Sequence, residues 1–212
     1  ENGNVTGIMR TDDGENFNKG MDGIYPIVAG AVDGERKKRL LEHIKNPKEM
    51  WSAAGVSAVD MSASYYFDDG YWNGNVWMSH QWFIWKTMLD NGEADFAFDI
   101  AKRALDMWKD ETDFTYNTYE CFGIATKRGG WFHNFGGLSA PICIWANAYF
   151  KPQTVTTGFD VWTDYQKTSD IGAEVKFKYF GNCDKYTMVV TLSDKADYVA
   201  YLDGEKVDFN ER

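Results

Sequence analysis

Residues 76–108 read VWMSHQWFIWKTMLDNGEADFAFDIAKRALDMW, and they decide the fold class because they predict two helices of different character. The first, from about 76 to 89, is apolar on nearly every side, which is typical of a helix that is buried on most sides. Asn91-Gly92 ends this helix. The second, from 93 to 108, keeps its apolar residues in one stripe and its charges outside that stripe, which indicates an amphipathic surface helix.

The same alternation continues on both sides of this segment. Residues 24–31 predict an apolar helix, residues 35–45 a charged and amphipathic one, and residues 138–149 another apolar one. Two concentric rings of helices produce this alternation, since the inner ring is covered on both sides and the outer ring faces water. We therefore expect a mainly α fold with about five long helices of a partial (α/α)6 toroid. A two-layer helical bundle would show a similar pattern.

The periodicity changes near the end of the chain. From Thr154 onward, apolar and polar residues alternate with period two, which predicts short strands. Asp203-Gly204 is a strong signal for a hairpin turn between two of these strands. We expect two domains: residues 1–152 as the C-terminal part of a helical catalytic domain, and residues 153–212 as a small antiparallel β module.

Charge and cysteine content exclude several classes of protein. The 32 acidic side chains outnumber the 22 Lys and Arg, giving a net charge of −10. This argues against a nucleic-acid partner, which requires a basic face, and against anionic membrane surfaces. No run of eighteen apolar residues predicts a transmembrane helix. The three cysteines have no metal-ligand spacing, so we expect neither a metal site nor a cofactor.

Aromatic residues are unusually frequent, with nine Trp, twelve Tyr and fourteen Phe. Aromatic faces suit sugar rings, whose C–H faces stack on them, although large aromatic side chains are also common in protein cores. Two long irregular stretches, 51–75 and 110–136, are expected to meet at one rim of the helical scaffold. Long loops on a rigid scaffold are where binding sites usually lie.

The sequence in and around these stretches carries motifs that resemble a known family. The motifs are Tyr25-Pro26-Ile27, residues 50–59 (MWSAAGVSAV), Tyr71-Trp72-Asn73-Gly74-Asn75-Val76-Trp77, Tyr119-Glu120-Cys121-Phe122 and residues 135–140 (FGGLSA). In order and spacing, over about residues 24–150, they resemble the closing half of the barrel of glycoside hydrolase family 63. The related trehalases and mannosylglycerate hydrolase-like enzymes share this pattern.

Three positions depart from the family pattern. Asn73 stands where the family has Arg, Asn75 where it has Pro, and Gly137 where it has Trp. These positions belong to the sugar-contacting shell of the family, so they leave the identity of the sugar open.

The resemblance implies an inverting glycosidase acting on an α-linked sugar such as an α-glucoside or α-mannoside. Inversion requires a carboxylic acid and a carboxylate base about 6.5–9.5 Å apart, with a water beside the base. The family's base maps to Glu120. Its acid is an Asp upstream of the Tyr-Trp motif, and no segment here resembles that loop. The remaining candidates are carboxylates in turn-like sequence, where Asp is common for other reasons: Asp12, Asp13, Asp68 and Asp69.

We therefore expect the chain to be incomplete and inactive alone, with the missing N-terminal part of the same barrel as a partner. The expected ligand is an oligosaccharide or small glycoside. Some relatives contain a structural calcium ion, which the sequence does not place. The expected substrate-binding residues are Tyr71, Trp72, Asn73, Asn75, Trp77, Tyr119, Trp131, Phe135 and Gly136.

Other functions fit parts of the sequence. Each expected binding residue could instead pack the core or satisfy loop backbone. A carbohydrate-binding protein without catalysis would use the same aromatic and amide side chains, and a helical interaction scaffold would instead show charged or apolar grooves. His80 and His133 are isolated, and we expect them to be hydrogen-bonded structural residues.

Overall fold

The computed structural model describes residues 19–193 and 196–212, in which the chain is mainly helical with small antiparallel sheets. A 3-10 helix (Met21–Gly23) precedes α1 (Tyr25–Val28), α2 (Gly34–Lys45), α3 (Met78–Asp90), α4 (Ala94–Thr115) and α5 (Gly136–Phe150). The strands are β1 (Trp51–Ser52), β2 (Gly55–Val56), β3 (Tyr119–Phe122), β4 (Gly129–His133), β5 (Thr154–Thr156), β6 (Val161–Ser169), β7 (Gly172–Tyr179), β8 (Val189–Thr191), β9 (Ala200–Leu202) and β10 (Glu205–Val207). The prediction of a mainly α class with strands at the end is confirmed. Asp12 and Asp13 lie outside the described residues.

The core lies where α3 packs against α4 and α5. Trp85 on α3 is fully buried, and its ring meets that of Trp145 on α5 edge to face, with 6.3 Å between centroids. Its indole Nε1 donates a hydrogen bond of 2.9 Å to the Tyr149 hydroxyl. A buried Trp needs such a partner for its N–H, and here the partner joins α3 to α5.

Two helices differ in length from their predictions. The first apolar helix, expected over 24–31, is only the four residues of α1, because the chain turns at Gly30 with a φ of 64°. By contrast, α4 extends past the predicted end at Trp108 to Thr115. Tyr116 then adopts the left-handed conformation and closes the last turn, with its N–H 2.8 Å from the carbonyl of Thr112. The second irregular stretch is therefore shorter than expected.

The expectation that α5 is covered on most sides is wrong for one face. Ile144 is 40% exposed and Phe150 66% exposed, and Cys143 is exposed beside them. Their spacing places these three side chains on one face of α5. No part of residues 19–193 and 196–212 covers that face.

The final strands pair in three antiparallel ladders, β5 with β8, β6 with β7, and β9 with β10. The predicted hairpin turn is confirmed. Asp203 and Gly204 connect β9 to β10 with φ values of 51° and 88°, as a type I′ turn requires.

A buried carboxylate connects this β part to the helices. Asp90, at the end of α3, accepts hydrogen bonds from the N–H groups of Phe159 (2.7 Å) and Asp160 (3.0 Å). Burial raises the pKa of Asp90. A Cβ on Gly158 would lie 1.8 Å from Asp90 Oδ1, so this close approach requires glycine.

Two kinds of feature are absent from the described residues. Within 19–193 and 196–212, no helix is long and apolar enough to cross a bilayer. Over the same residues, no three His, Cys, Asp or Glu side chains gather where they could hold a metal ion, so no position for a calcium ion is assigned.

Candidate functional site

The two irregular stretches meet along strand β3. Val76 and Phe122 form an antiparallel bridge, with N–H to carbonyl distances of 2.8 and 2.9 Å in the two directions. This bridge holds the loop before α3 against the strand that carries Glu120. The two motifs are more than forty residues apart in the chain, and the bridge brings them together.

The loop before α3 is closed tightly on itself. The Phe67 N–H bonds to the carbonyl of Asn73 (3.0 Å), and the Asn75 N–H bonds to that of Gly70 (2.8 Å). A Cβ on Gly74 would lie 1.8 Å from the Phe67 carbonyl oxygen. Only glycine allows this close backbone approach, which fixes the direction of the neighbouring aromatic residues.

Tyr71 lies at the centre of an aromatic cluster. Its ring meets those of Trp72, Trp77 and Trp131 edge to face, at centroid distances of 5.1, 4.9 and 4.6 Å. The rings of Trp72 and Trp77 stack in parallel, 4.1 Å apart. Trp77 is buried, whereas Trp72 and Trp131 are 58% and 60% exposed. The cluster therefore presents two indole surfaces to solvent.

Glu120 lies under this cluster and is 7% exposed. The hydroxyl of Tyr71 donates a short hydrogen bond to Glu120 Oε1, and this bond, together with burial, raises the pKa of Tyr71 to about 12. Glu120 Oε2 is buried and has no hydrogen-bond partner among the described residues. No ion pair within residues 19–193 and 196–212 involves Glu120. One oxygen of the Glu120 carboxylate is thus hydrogen-bonded to Tyr71, and the other can still accept a hydrogen bond.

A β-bulge lies opposite Glu120. Tyr119 pairs with His133 and Cys121 with Gly130, so β4 has two residues, Trp131 and Phe132, where β3 has one. Trp131 has a φ of 66°, which is unusual for a bulky residue. Bulges and positive φ values at such residues concentrate at functional sites, because they redirect a side chain at an energetic cost.

An ion pair between the half-exposed Arg128 and the buried Glu111, which the sequence did not reveal, anchors the same hairpin. Glu111 on α4 is 3% exposed and accepts hydrogen bonds from Arg128 Nε (2.6 Å), Arg128 Nη2 (3.2 Å) and the N–H of Gly129 (2.9 Å). Burial acts to raise the pKa of Glu111, but these hydrogen bonds outweigh it and lower the pKa overall. No sequence motif marks this pair, because it depends on the extension of α4 beyond Trp108.

Replacing Glu111 by Gln is expected to destabilise the chain by about 1–3 kcal/mol at pH 7, because the Arg128 charge and the Gly129 N–H lose a charged acceptor. A carboxylate with a lowered pKa contributes stability above its unfolded pKa, near 4.3, and loses it as pH falls through the folded pKa. Urea unfolding at pH 7 and pH 3 should therefore show a difference in stability between the wild type and Glu111→Gln that is smaller at pH 3. An equal difference at both pH values would contradict this account.

The other expected binding residues have mixed environments. Asn73 donates from Nδ2 to the carbonyl of Tyr65 (2.6 Å), so its amide supports the loop. Asn75 is buried at 3% exposure, and the ring of Tyr119 lies against Gly129. Phe135 and Gly136 are exposed where α5 begins.

His80 differs from its prediction. It is mostly buried, but its Nδ1 has no hydrogen-bond partner among the described residues, so the expected hydrogen bond is missing at that atom. Burial lowers the pKa of His80 to about 4, so the ring is neutral at pH 7. It lies 6.2 and 6.3 Å from the rings of Trp72 and Trp77, at the edge of the aromatic cluster. His133 is exposed on β4.

Comparison with known proteins identifies related sequences and folds. The family model for the mannosylglycerate hydrolase MGH1-like glycoside hydrolase domain matches residues 10–129. No curated protein matches the chain significantly.

Solved structures from Thermus thermophilus share the fold. An uncharacterized conserved protein matches with a TM-score of 0.53 and 22% identity over 60% of this chain and 31% of that one. A GH63 mannosylglycerate hydrolase matches with a TM-score of 0.53 in complex with Tris and D-glycerate, and 0.51 in complex with glucose. Both of these matches have 22% identity and cover 60% of this chain and 30% of the hydrolase. The chain thus spans about a third of the length of these structures.

Proposed function

The chain belongs to the mannosylglycerate hydrolase MGH1-like glycoside hydrolase family, and from this premise we propose that it is the closing part of an inverting glycosidase. In this proposal residues 1–152 are the C-terminal part of an (α/α)6 catalytic domain, and residues 153–212 are an attached β module. The enzyme cleaves the O-glycosidic bond of an α-linked sugar. The observation that carries the proposal is Glu120, a buried carboxylate with one oxygen held by Tyr71 and the other unpartnered among the described residues.

Glu120 is the general base in this proposal. Its Oε2 accepts a proton from a water molecule, and that water attacks the anomeric carbon from the face opposite the leaving group. The Tyr71 hydroxyl fixes the carboxylate through Oε1, so that Oε2 keeps one direction. Fixing the base in this way lowers the barrier, because less orientational freedom is lost in the transition state.

The aromatic cluster is the sugar-binding wall. The exposed faces of Trp72 and Trp131 suit the C–H faces of a sugar ring, and Trp77 supports Trp72 by stacking behind it. The remaining proposed binding residues are Tyr71, Asn73, Asn75, Tyr119, Phe135 and Gly136.

The general acid comes from outside the described residues. The match covers only 30–31% of the relatives in the solved structures, and the uncovered face of α5 suits packing by further helices. We propose that the missing N-terminal part of the barrel covers this face and supplies an Asp as acid. The active form is then this chain together with that part.

The substrate is a small glycoside or an oligosaccharide. The similar hydrolase from Thermus thermophilus was solved in complex with glucose and with D-glycerate. An α-glucoside or α-mannoside fits that precedent and the two indole faces of this chain.

Replacing Tyr71 by Phe is expected to lower kcat/KM of the active form about 10–100-fold, because Glu120 loses a charge-assisted hydrogen bond while the ring packing stays. Steady-state kinetics on an aryl α-glycoside would measure the change. Tyr201→Phe, at a 67% exposed position in β9, is the matched control and should leave kcat/KM unchanged. A Tyr71→Phe enzyme as fast as wild type would show that Glu120 does not depend on this contact.

The proposal is tested by assaying the isolated chain and the active form against a panel of α-glucosides and α-mannosides. We expect the isolated chain to give no multiple turnovers and the active form to hydrolyse at least one substrate. Multiple turnovers by the 212-residue chain would show that it holds its own acid. Sugar binding without hydrolysis by either form would instead indicate a carbohydrate-binding protein.

A further inference from the structure

The loop that follows β7 packs against two helical segments from much earlier in the chain. Asn182 donates from Nδ2 to the carbonyls of Gly30 and Val32, just before α2, at 3.4 Å each. The thiol of Cys183 donates to Oδ1 of Asn91, the residue after α3, at 3.2 Å. This loop therefore connects the β part of the chain to α2 and to α3.

A lysine side chain from α2 reaches the same thiol. Lys37 Nζ lies 3.1 Å from Cys183 Sγ and 2.5 Å from Asn182 Oδ1. Lys37 and Cys183 are 146 residues apart in the chain, yet their nucleophilic atoms are in direct contact. No ion pair within residues 19–193 and 196–212 involves Lys37, so no carboxylate there holds its amine away from the sulfur.

The backbone of Cys183 is fixed by a tyrosine at the end of β7. The hydroxyl of Tyr179 accepts a hydrogen bond from the Cys183 N–H (3.0 Å) and donates one to the Cys183 carbonyl (3.1 Å). The ring of Tyr179 in turn stacks on that of Tyr186, with 4.7 Å between centroids. The sulfur is thus already positioned against the amine, and little freedom is lost when the two atoms react.

This contact distinguishes Cys183 from the other two cysteines, although all three are free thiols. Cys121 is fully buried, and burial raises the pKa of its thiol to about 11, which makes it unreactive. Cys143 is exposed on α5, and no hydrogen bond joins it to a lysine in the described part of the chain. Cys183 combines partial exposure, which admits a small oxidant, with an amine at the sulfur.

We propose that Lys37 and Cys183 form an oxidative modification site, at which a peroxide links Sγ to Nζ covalently. Hydrogen peroxide first converts the Cys183 thiol to a sulfenic acid and is itself reduced to water. The unprotonated amine of Lys37 then attacks the sulfur, so that the S–N bond forms as the S–O bond breaks. The departing hydroxide takes a proton from the amine and leaves as a second water.

The linked pair has two hydrogen atoms fewer than the reduced pair and keeps no oxygen from the peroxide. A reducing thiol reverses the reaction, because it attacks the sulfur and returns the amine to Lys37. The site is independent of the proposed glycosidase function, since it uses neither Glu120 nor the aromatic cluster.

The link would stabilise the fold by closing the chain between α2 and the loop after β7. A cross-link between residues far apart in the sequence restricts the unfolded chain, as a disulfide over a long loop does. We therefore expect the Tm of the linked protein to exceed that of the reduced protein by at least about 5 °C. An unchanged Tm in a fully linked protein would overturn this stabilising role.

The test treats the 212-residue chain with hydrogen peroxide at pH 8 and identifies its tryptic peptides by mass spectrometry without reduction. We expect one cross-linked peptide that contains Lys37 and Cys183, with a mass lower by two hydrogen atoms than its two parts together. Dithiothreitol should separate these parts. Sulfinic or sulfonic acid at Cys183 without a cross-linked peptide, or a link that retains an oxygen atom, would overturn the proposal.

Two variants and two controls check the assignment. Lys37→Arg keeps the positive charge but removes the amine, and Cys183→Ser removes the sulfur, so neither should form the link or gain Tm in peroxide. Lys38→Arg, at the exposed neighbouring lysine, and Cys143→Ser should form the link as the wild type does. A rise in Tm with peroxide that is as large in folded Lys37→Arg as in the wild type would overturn the site.

Discussion

Replacing Glu120 by Gln is expected to lower kcat of the active form by about 10²–10⁴-fold, the range typical for loss of a general base. Gln has the same shape and can still bond to the Tyr71 hydroxyl, but it cannot take a proton from the attacking water. The KM is expected to change little, because the Trp72 and Trp131 faces are untouched. Steady-state kinetics with an aryl α-glycoside measures both quantities.

The matched control is Glu174→Gln, an exposed carboxylate on β7. It makes the same chemical change far from β3 in the sequence and should leave kcat unchanged. A Glu120→Gln protein that keeps its Tm and also keeps kcat would remove Glu120 from the mechanism. A loss of activity accompanied by unfolding would point to a structural role for this buried carboxylate instead.

Replacing Trp85 by Ala is expected to destabilise the chain by about 3–5 kcal/mol, which is a large part of the stability of a domain of this size. The indole is fully buried, packs on Trp145 and bonds to Tyr149, so its removal leaves a cavity between α3 and α5 and an unpaired hydroxyl. Urea unfolding followed by circular dichroism measures the loss as a lower midpoint with an unchanged slope.

Trp162→Ala provides the comparison, since the same substitution at a 68% exposed ring should cost far less. Equal losses at the two positions would contradict the assignment of the core to the contact between α3 and α5. A Trp85→Phe variant should fall between wild type and Trp85→Ala, because it restores most of the volume but not the N–H donor.

The parts of the fold that follow a local rule could be predicted. The all-round apolar pattern of α3, ended by Asn91-Gly92, indicated a helix whose ends are within two residues of those observed. The Asp203-Gly204 turn depends on left-handed backbone that these residues tolerate, and it is present. The motifs around Tyr71 and Glu120 indicated one site, and a backbone bridge brings them together.

The remaining features depend on contacts between distant residues. Nothing in the sequence around Trp108 shows that α4 continues, because its last turn is stabilised by burial of Glu111 against Arg128 in the following hairpin. The bulge opposite Glu120 and the left-handed backbone of Trp131 likewise arise from the pairing of β3 with β4. The loop role of Asn73 could not be distinguished from sugar binding, since an amide group serves both equally well.

The central claim, that Glu120 is the base of an inverting hydrolysis, is tested most directly by azide rescue of Glu120→Ala. Removing the carboxylate leaves room for a small anion at the position of the attacking water, and the acid remains to protonate the leaving group. With an α-glucoside substrate and the active form, we predict recovered turnover in azide and β-glucosyl azide as the product identified by ¹H NMR. Formation of α-glucosyl azide, or no azide dependence in a folded Glu120→Ala protein, would contradict the assignment.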